Sequence, residues 1–393
     1  MTVLKADRLF DGTTDSKLPH PRVLLDHGRI RAVEQTDIDL PRAQIIDLTG
    51  STLVPGLIDT HVHLAFDASS DPVGHLAARD DAEALLAMVA AARRAARGGV
   101  TTVRDLGDRG YLSLALRDAA RSDRTIPDIV AAGPPITTPG GHCHYLGAEV
   151  GTADDMRSAV REHVEHGVDV IKIIASGGNL TPGSRPELAQ FDPEILRVAV
   201  DETHRADLKI TAHAHGTPAV AGALLAGVDQ LEHVTFMTAD GVDPAPPDLV
   251  ATIVERRVNL SLTVGFVPIP DPPPNPMTAR LPALLANLRR LCSSGAPITA
   301  GTDAGVTPGK PHDAVRWAVG TPVAGGLTPA QALRACTSQA ALGCGLQGRK
   351  GRLAVGYDAD ILAIQGDPLD DPSMLHRITA VFVRGARLES MPC

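Results

Sequence analysis

Two imidazoles, His61 and His63, stand two residues apart in "VPGLIDTHVHL" (residues 54–64), directly after an apolar run. Side chains on a strand alternate between faces, so positions i and i+2 leave on one side and offer two nitrogens to one cation. The spacing recurs in "TAHAHG", with His213 and His215, and "LEHVTF" adds His233. Lys172 lies in "DVIKIIASGG" among Val170, Ile171, Ile173 and Ile174, where an ammonium is poorly solvated. Burial lowers the pKa of an amine, and the neutral amine reacts with carbon dioxide to give a carbamate, an oxygen ligand able to bridge two cations. "TAGTDAG" completes the set with Asp303. Each has an ordinary alternative: a histidine hydrogen-bonded at a strand end, or a lysine paired with a buried carboxylate. Together they supply the nitrogen and oxygen donors that two zinc-type ions need, without thiolate.

The elements that must position these groups are legible as eight short apolar runs: "LIDTHVHL", "GVTTVRDL", "IPDIVAAG", "DVIKIIASG", "KITAHAHG", "DQLEHVTF", "NLSLTVGF" and "PITAGTDAG". Between them, segments such as "DDAEALLAMVAAARRAARGG" and "DPEILRVAVDETHRADL" place apolar residues three and four apart, as amphipathic helices require. This alternation predicts an α/β fold, a (β/α)8 TIM barrel over residues 55–349, with the chemical residues at the C-terminal ends of strands one, four, five, six and eight. A doubly wound sheet has the same alternation, but no G-x-G-x-x-G follows the first strand. Residues 1–54 and 350–393 read instead as short strands and turns, and are expected to pack together as a small β-sandwich, since each alone has too few strands to enclose a core. The segment "FVPIPDPPPNP", Phe266 to Pro276, is too proline-dense for a helix or central strand and is expected to roof the catalytic face.

Composition narrows the partners. The chain has 393 residues, 44% hydrophobic and 21% charged, ample for a buried core. A formal charge of -9 without a basic run argues against nucleic acid. The start "MTVLKADRLFDG" lacks the pattern of a secretory leader, and no stretch of eighteen apolar residues occurs, so a soluble, cytoplasmic protein with no membrane partner is expected. The five cysteines, Cys143, Cys292, Cys336, Cys344 and Cys393, are odd in number and scattered, which suggests neither a disulfide frame nor a thiolate metal site. A small-molecule substrate and self-association as a homo-oligomer complete the expected partners.

The order H-x-H, fourth-strand Lys, fifth-strand His, sixth-strand His, eighth-strand Asp, opened by "VPGLIDTHVH" and closed by "GRLAVGYDADILAI", resembles the amidohydrolase superfamily. Within it, "GVTTVRDLG", "DVIKIIASGG", "TAHAHG", "AGVDQLEH" and "AGTDAG" are similar to the Xaa-Pro dipeptidase and imidazolonepropionase-like branch, which carries a carboxylated lysine. The resemblance spans nearly the whole chain. It implies that two divalent ions, zinc by the donor set, are held, the more buried by His61, His63 and Asp303 and the more exposed by His213 and His233, and that Lys172 bridges them as N6-carboxylysine. Several members of the branch have H-A-Y where this chain has "HAH", so His215 occupies a position that faces the substrate. "TTPGGHCHYLG" matches a G-G-H segment of the family and makes His142 a candidate contact to the substrate carbonyl or carboxylate. For both, hydrogen bonding within the protein is the alternative. Arg185 reads as a solvated loop charge, and His144 and Tyr145 carry no assignment.

The chemistry so implied is hydrolysis. Two cations sharing a water lower its pKa from about 16 toward neutrality and polarise a scissile carbonyl. Asp303 is then the base that takes the proton and passes it to the departing nitrogen of an amide, dipeptide, carbamate or urea. A mononuclear cyclic-amide hydrolase of the imidazolonepropionase type, or a deaminase, would dispense with Lys172, and a non-catalytic barrel protein would have lost ligands that this chain keeps.

Overall fold

The computed structural model describes residues 1–38, 40–269 and 276–389. Each of the eight apolar runs is a strand: β1 (Leu57–Val62), β2 (Val100–Asp105), β3 (Asp128–Ala131), β4 (Val170–Ile174), β5 (Lys209–Ala214), β6 (Gln230–His233), β7 (Asn259–Thr263) and β8 (Ile298–Gly301). All pair in parallel, in one sheet β1-β2-β3 and a second running β4-β5-β6-β7-β8. Single parallel bridges join the two sheets at both margins, Ile136 to Ile173 and Val62 to Ala304. Every residue of β1, β2 and β4 is buried, the pattern of parallel strands covered on both faces.

The covering helices begin where the sequence caps them. Asp80 and Glu83 form a reciprocal capping box at the start of Asp81–Arg97, whose buried stripe is Ala84, Met88, Ala92 and Ala95. Thr152 and Asp155 do the same for Ala153–His166, which stops at Gly167 with φ +77°. Asp192 caps Pro193–Arg205, where the buried Leu196, Ala199 and Val200 face the strands. No helix among the described residues is long and apolar enough to cross a membrane.

The chain ends meet in one eight-stranded sheet rather than in two separate ones. Its long strand Gln44–Pro55 pairs in parallel with Thr2–Leu9 and antiparallel with Ile361–Gln365, which joins the two ends of the chain directly. The edge strand Arg29–Glu34 and the turn before it reach back to the segment before Ile361–Gln365: Ala359 N donates to Gly28 O at 2.9 Å and Ile30 N to Tyr357 O at 2.9 Å. Leu4, Val23, Leu25, Ile30, Ile361 and Phe382 fill the enclosed core, which is separate from that around the parallel strands. Lys350, almost wholly buried, fastens this unit to the start of β3 by ion pairs to Asp128 at 2.9 Å, Asp358 at 3.1 Å and Asp360 at 2.5 Å. Gly56 is the hinge between Pro55 and β1, and a Cβ there would lie 2.2 Å from Thr101 Oγ1, so only glycine lets the two strands follow one another so closely. Cys143, Cys292, Cys336 and Cys344 are free thiols, and Cys393 lies outside the described residues.

Candidate active site

The strand ends gather six imidazoles and a carboxylate on one face. His61 and His63 leave β1 two residues apart, and Nε2 of each lies 3.4 Å from Asp303 Oδ1, just past β8. His213, His215 and His233 form the adjoining group, with ring centroids 4.3–4.7 Å apart. His61 and His233, 5.0 Å apart, join the two groups, and His142 stands 5.0 Å from His213. In each trio, His61, His63, Asp303 and His213, His215, His233, the candidate donor atoms lie within 4.8 Å of one another. The structure therefore brings together His61, His63, His142, His213, His215, His233 and Asp303, and places His215 with the imidazole donors as closely as His213 and His233.

Hydrogen bonds fix which nitrogen each ring presents. A carboxylate only accepts, so His61 donates Nδ1–H to Glu232 Oε2 at 2.8 Å and turns a bare Nε2 toward Asp303. His63 donates Nδ1–H to Gly107 O at 3.1 Å, again leaving Nε2. His213 donates Nε2–H to Gly177 O at 3.0 Å and so presents Nδ1. His233 shares its Nδ1 with Thr263 Oγ1 at 2.8 Å, and His215 shares its own with Thr235 Oγ1 at 2.9 Å. His233 Nε2, Lys172 Nζ and His142 Nδ1 are buried and have no hydrogen-bond partner among the described residues. Buried polar atoms are normally paired, and three orphans beside two donor trios fit a site built to receive cations.

Burial sets the protonation states. It lowers the pKa of His61 and of His142 to about 4 and that of His215 to about 3, and it drives His213 and His233 well below the ordinary value. Neutral imidazoles, the form that binds metal, are the result. Lys172 is lowered to about 8 by burial, against the attraction of Glu232 and Asp303. Burial alone would raise the Asp303 carboxyl, but its surroundings, the His63 and His61 rings and the Lys310 ammonium, hold it well below the carboxylate range. Asp303 takes φ +59°, His233 +73° and Val234 +49°. A β-branched valine rarely adopts that region, so the backbone beyond β6 is strained where it aims His233.

Several residues that shape the site were not singled out from the sequence. Glu232, fully buried on β6, also accepts from Arg104 Nη2 at 2.8 Å and Thr211 Oγ1 at 2.6 Å, and although burial pushes its carboxyl up, Arg104 and His61 hold it below the usual range. Asp59, raised to about 7 by burial, accepts from His61 N at 3.2 Å and from Thr302 N and Oγ1 at 3.0 and 2.6 Å, tying β1 to the turn that carries Asp303. Asp105 accepts from Leu64 N at 2.8 Å and Gly107 N at 3.1 Å, which seats the carbonyl that orients His63. A charged residue inside an apolar strand run marks all four, the signal that drew attention to Lys172. Gly178 is required by His142, since a Cβ would lie 2.3 Å from its Nε2. Arg185 is exposed and paired with Glu187 at 2.7 Å, as a solvated loop charge should be. Of the proline-rich segment, Phe266–Ile269 lies beside the turn after β8, with Val267 N donating to Gly309 O at 2.9 Å, and residues 270–275 lie outside the described residues. A cavity of about 390 Å³ opens at the other end of the strands, lined by Arg104, Asp128, Val170, Lys209, Gln230 and Cys344, and holds none of the imidazoles.

Residues 52–388 match the amidohydrolase family, and the chain belongs to it. Ochratoxinase of Aspergillus niger is 28% identical over 97% of this chain and 84% of its own. Imidazolonepropionase of Micrococcus luteus is 27% identical over 91% of each chain. Among solved structures, an Xaa-Pro dipeptidase with bound methionine superposes with a TM-score of 0.86 at 25% identity, over 99% of both chains. Family and neighbours together imply a TIM-barrel-type fold and make the protein a hydrolase of C–N bonds.

Proposed function

We propose that the chain is a binuclear, metal-dependent amidohydrolase that cleaves an amide, dipeptide, carbamate or urea bond of a small substrate. Its parallel strands would close as a (β/α)8 barrel over residues 55–349, a reading supported by the bridges at both sheet margins, with residues 1–54 and 350–393 as the accompanying β-sandwich. The observation that carries the functional reading is the pair of donor trios at the strand ends, beside a buried Lys172 on the strand paired with the one that bears His213, with Lys172 Nζ and His233 Nε2 both lacking partners among the described residues.

In this reading His61, His63 and Asp303 would hold one divalent ion and His213 and His233 the other, and Lys172, carboxylated on its neutral amine, would serve both as a shared ligand. Imidazole and carboxylate donors without thiolate favour zinc. Bound ions would supply an acidified water and polarise the substrate carbonyl. Asp303 turns Oδ1 toward His61 and His63, which leaves Oδ2 to accept the proton of the attacking water and deliver it to the leaving nitrogen. Glu232 holds His61 in the tautomer with a bare Nε2. His142, with its free Nδ1, and His215 meet the substrate carbonyl or carboxylate. The placement of His215 within the second donor trio favours one alternative, that it is itself a ligand.

Metal analysis of His215→Ala separates the two roles: unchanged metal with a raised KM supports substrate contact, and lost metal makes His215 a ligand. Hydrolysis is tested by offering the reconstituted enzyme N-acyl amino acids, dipeptides, carbamates and phenylureas. Turnover of at least one class that is abolished by a chelator and restored by zinc is expected. Ring opening of cyclic amides alone, with one ion per chain, would favour the mononuclear reading instead.

A further inference from the structure

We propose that Lys310 is the anion-binding residue of this site, placed to hold a carboxylate carried by the substrate. The inference rests on the C–N hydrolase reading above and narrows its substrates to small acylated molecules with a free acid group, such as N-acyl amino acids and dipeptides.

Lys310 follows Asp303 on the same turn beyond β8. Its side chain is buried, 6% exposed, yet it forms no hydrogen bond or ion pair with the described residues. Its ammonium stands 4.5 Å above the ring of Phe266, on the segment after β7, and that is its one close polar contact among them. A cation–π contact returns less than burial of an ammonium takes away, so this lysine is incompletely compensated. The buried Lys350 of the same chain shows the usual solution, three carboxylates around one ammonium. Around Lys310 the acids are already committed. Asp59 accepts from His61 and Thr302, and Asp303 faces His61 and His63.

The backbone holds Lys310 in place. Its N–H donates to Thr307 O at 2.8 Å and its carbonyl accepts from Gly305 N at 2.8 Å. Gly309 fits beneath the neighbouring segment, where a Cβ would come within 3.3 Å of Phe266 and 3.4 Å of Ile269. The turn that carries Lys310 lies against the end of β1: a Cβ on Gly305 would stand 2.4 Å from His63 O, and His312 Nε2 is 3.2 Å from the same carbonyl, which sets the turn beside the reacting groups. A carboxylate seated on this ammonium supplies the contact partner it lacks among the described residues, and lets the rest of the molecule lie against Phe266 and reach toward Asp303.

The test measures binding of hexanoate to the zinc-reconstituted full chain by calorimetry, in the native protein, Lys310→Met and Lys310→Arg, with metal content and melting temperature recorded for each. Lys310→Gln is carried alongside in case the methionine variant does not fold. A dissociation constant weakened tenfold or more in the neutral variants, restored toward the native value by arginine, at unchanged metal content, is expected. Native affinity in the neutral variants, no binding of hexanoate to the native protein, or a loss of metal on substitution would each overturn the assignment. Failure of the native enzyme to hydrolyse any amide would count against the proposed function and leave this binding result standing on its own.

Discussion

As proposed, Asp303 would combine two duties, metal ligand and base, that a carboxylate can perform together only if its two oxygens face different ways. With Oδ1 at 3.4 Å from both His61 and His63, the second oxygen is left for the proton. Asp303→Asn keeps the shape and removes the base, so a kcat at least about a hundredfold lower is expected in a folded protein. Near-native turnover would take Asp303 out of the mechanism. Glu232 acts at one remove, through the His61 ring. Glu232→Gln can present its amide nitrogen to His61 and invert the tautomer, and metal affinity should fall by about 10- to 100-fold, measured by competition with a chromogenic chelator. An unchanged affinity would mean that the ring orients itself. At this scale the sequence was informative about donors and silent about their orientation. Lys172 stood out because its neighbours are apolar, and the histidines because of their spacing. Glu232, Arg104 and Asp59 carry the same mark, but their partners lie 171, 128 and 243 residues away along the chain, a distance that no local pattern spans. Lys310, in "TPGKPHD", has no apolar flank and gave no signal.

Among the elements, the period of the apolar residues was enough to find all eight parallel strands, because a strand buried on both faces must be apolar nearly throughout. Thr152→Ala removes one half of the box at the start of Ala153–His166 and should destabilise the protein by about 1 kcal/mol in urea titration, with kcat unchanged. A shift below about 0.3 kcal/mol would show that packing of Met156 and Val160 alone fixes that helix. What local pattern could not supply was the pairing at the chain ends. Two sets of short strands suggested that the chain ends pack together, and they share one sheet because Gln44–Pro55 is long enough to pair with Thr2–Leu9 on one side and Ile361–Gln365 on the other. The second of these pairings brings together residues more than three hundred positions apart, and nothing in a strand's own residues names its neighbour.

In the molecule as a whole, the chain ends and the parallel strands are fastened through Lys350, Arg349 and Arg384, all on Asp128. Lys350→Ala leaves Asp128, Asp358 and Asp360 facing one another in a buried place, and should cost about 3–5 kcal/mol in denaturant. Retained stability would show that the two cores hold together without it. The fastening lies at the start of β3, while the reacting groups lie at the opposite strand ends. Support and chemistry are therefore separated, and folded Lys350→Ala protein should keep its metal. The central claim is that the two donor trios and Lys172 form one binuclear centre. Its most direct test is elemental analysis of the full chain after reconstitution with zinc and bicarbonate: about two ions per chain are predicted, and a value that saturates at about one or below would contradict the account.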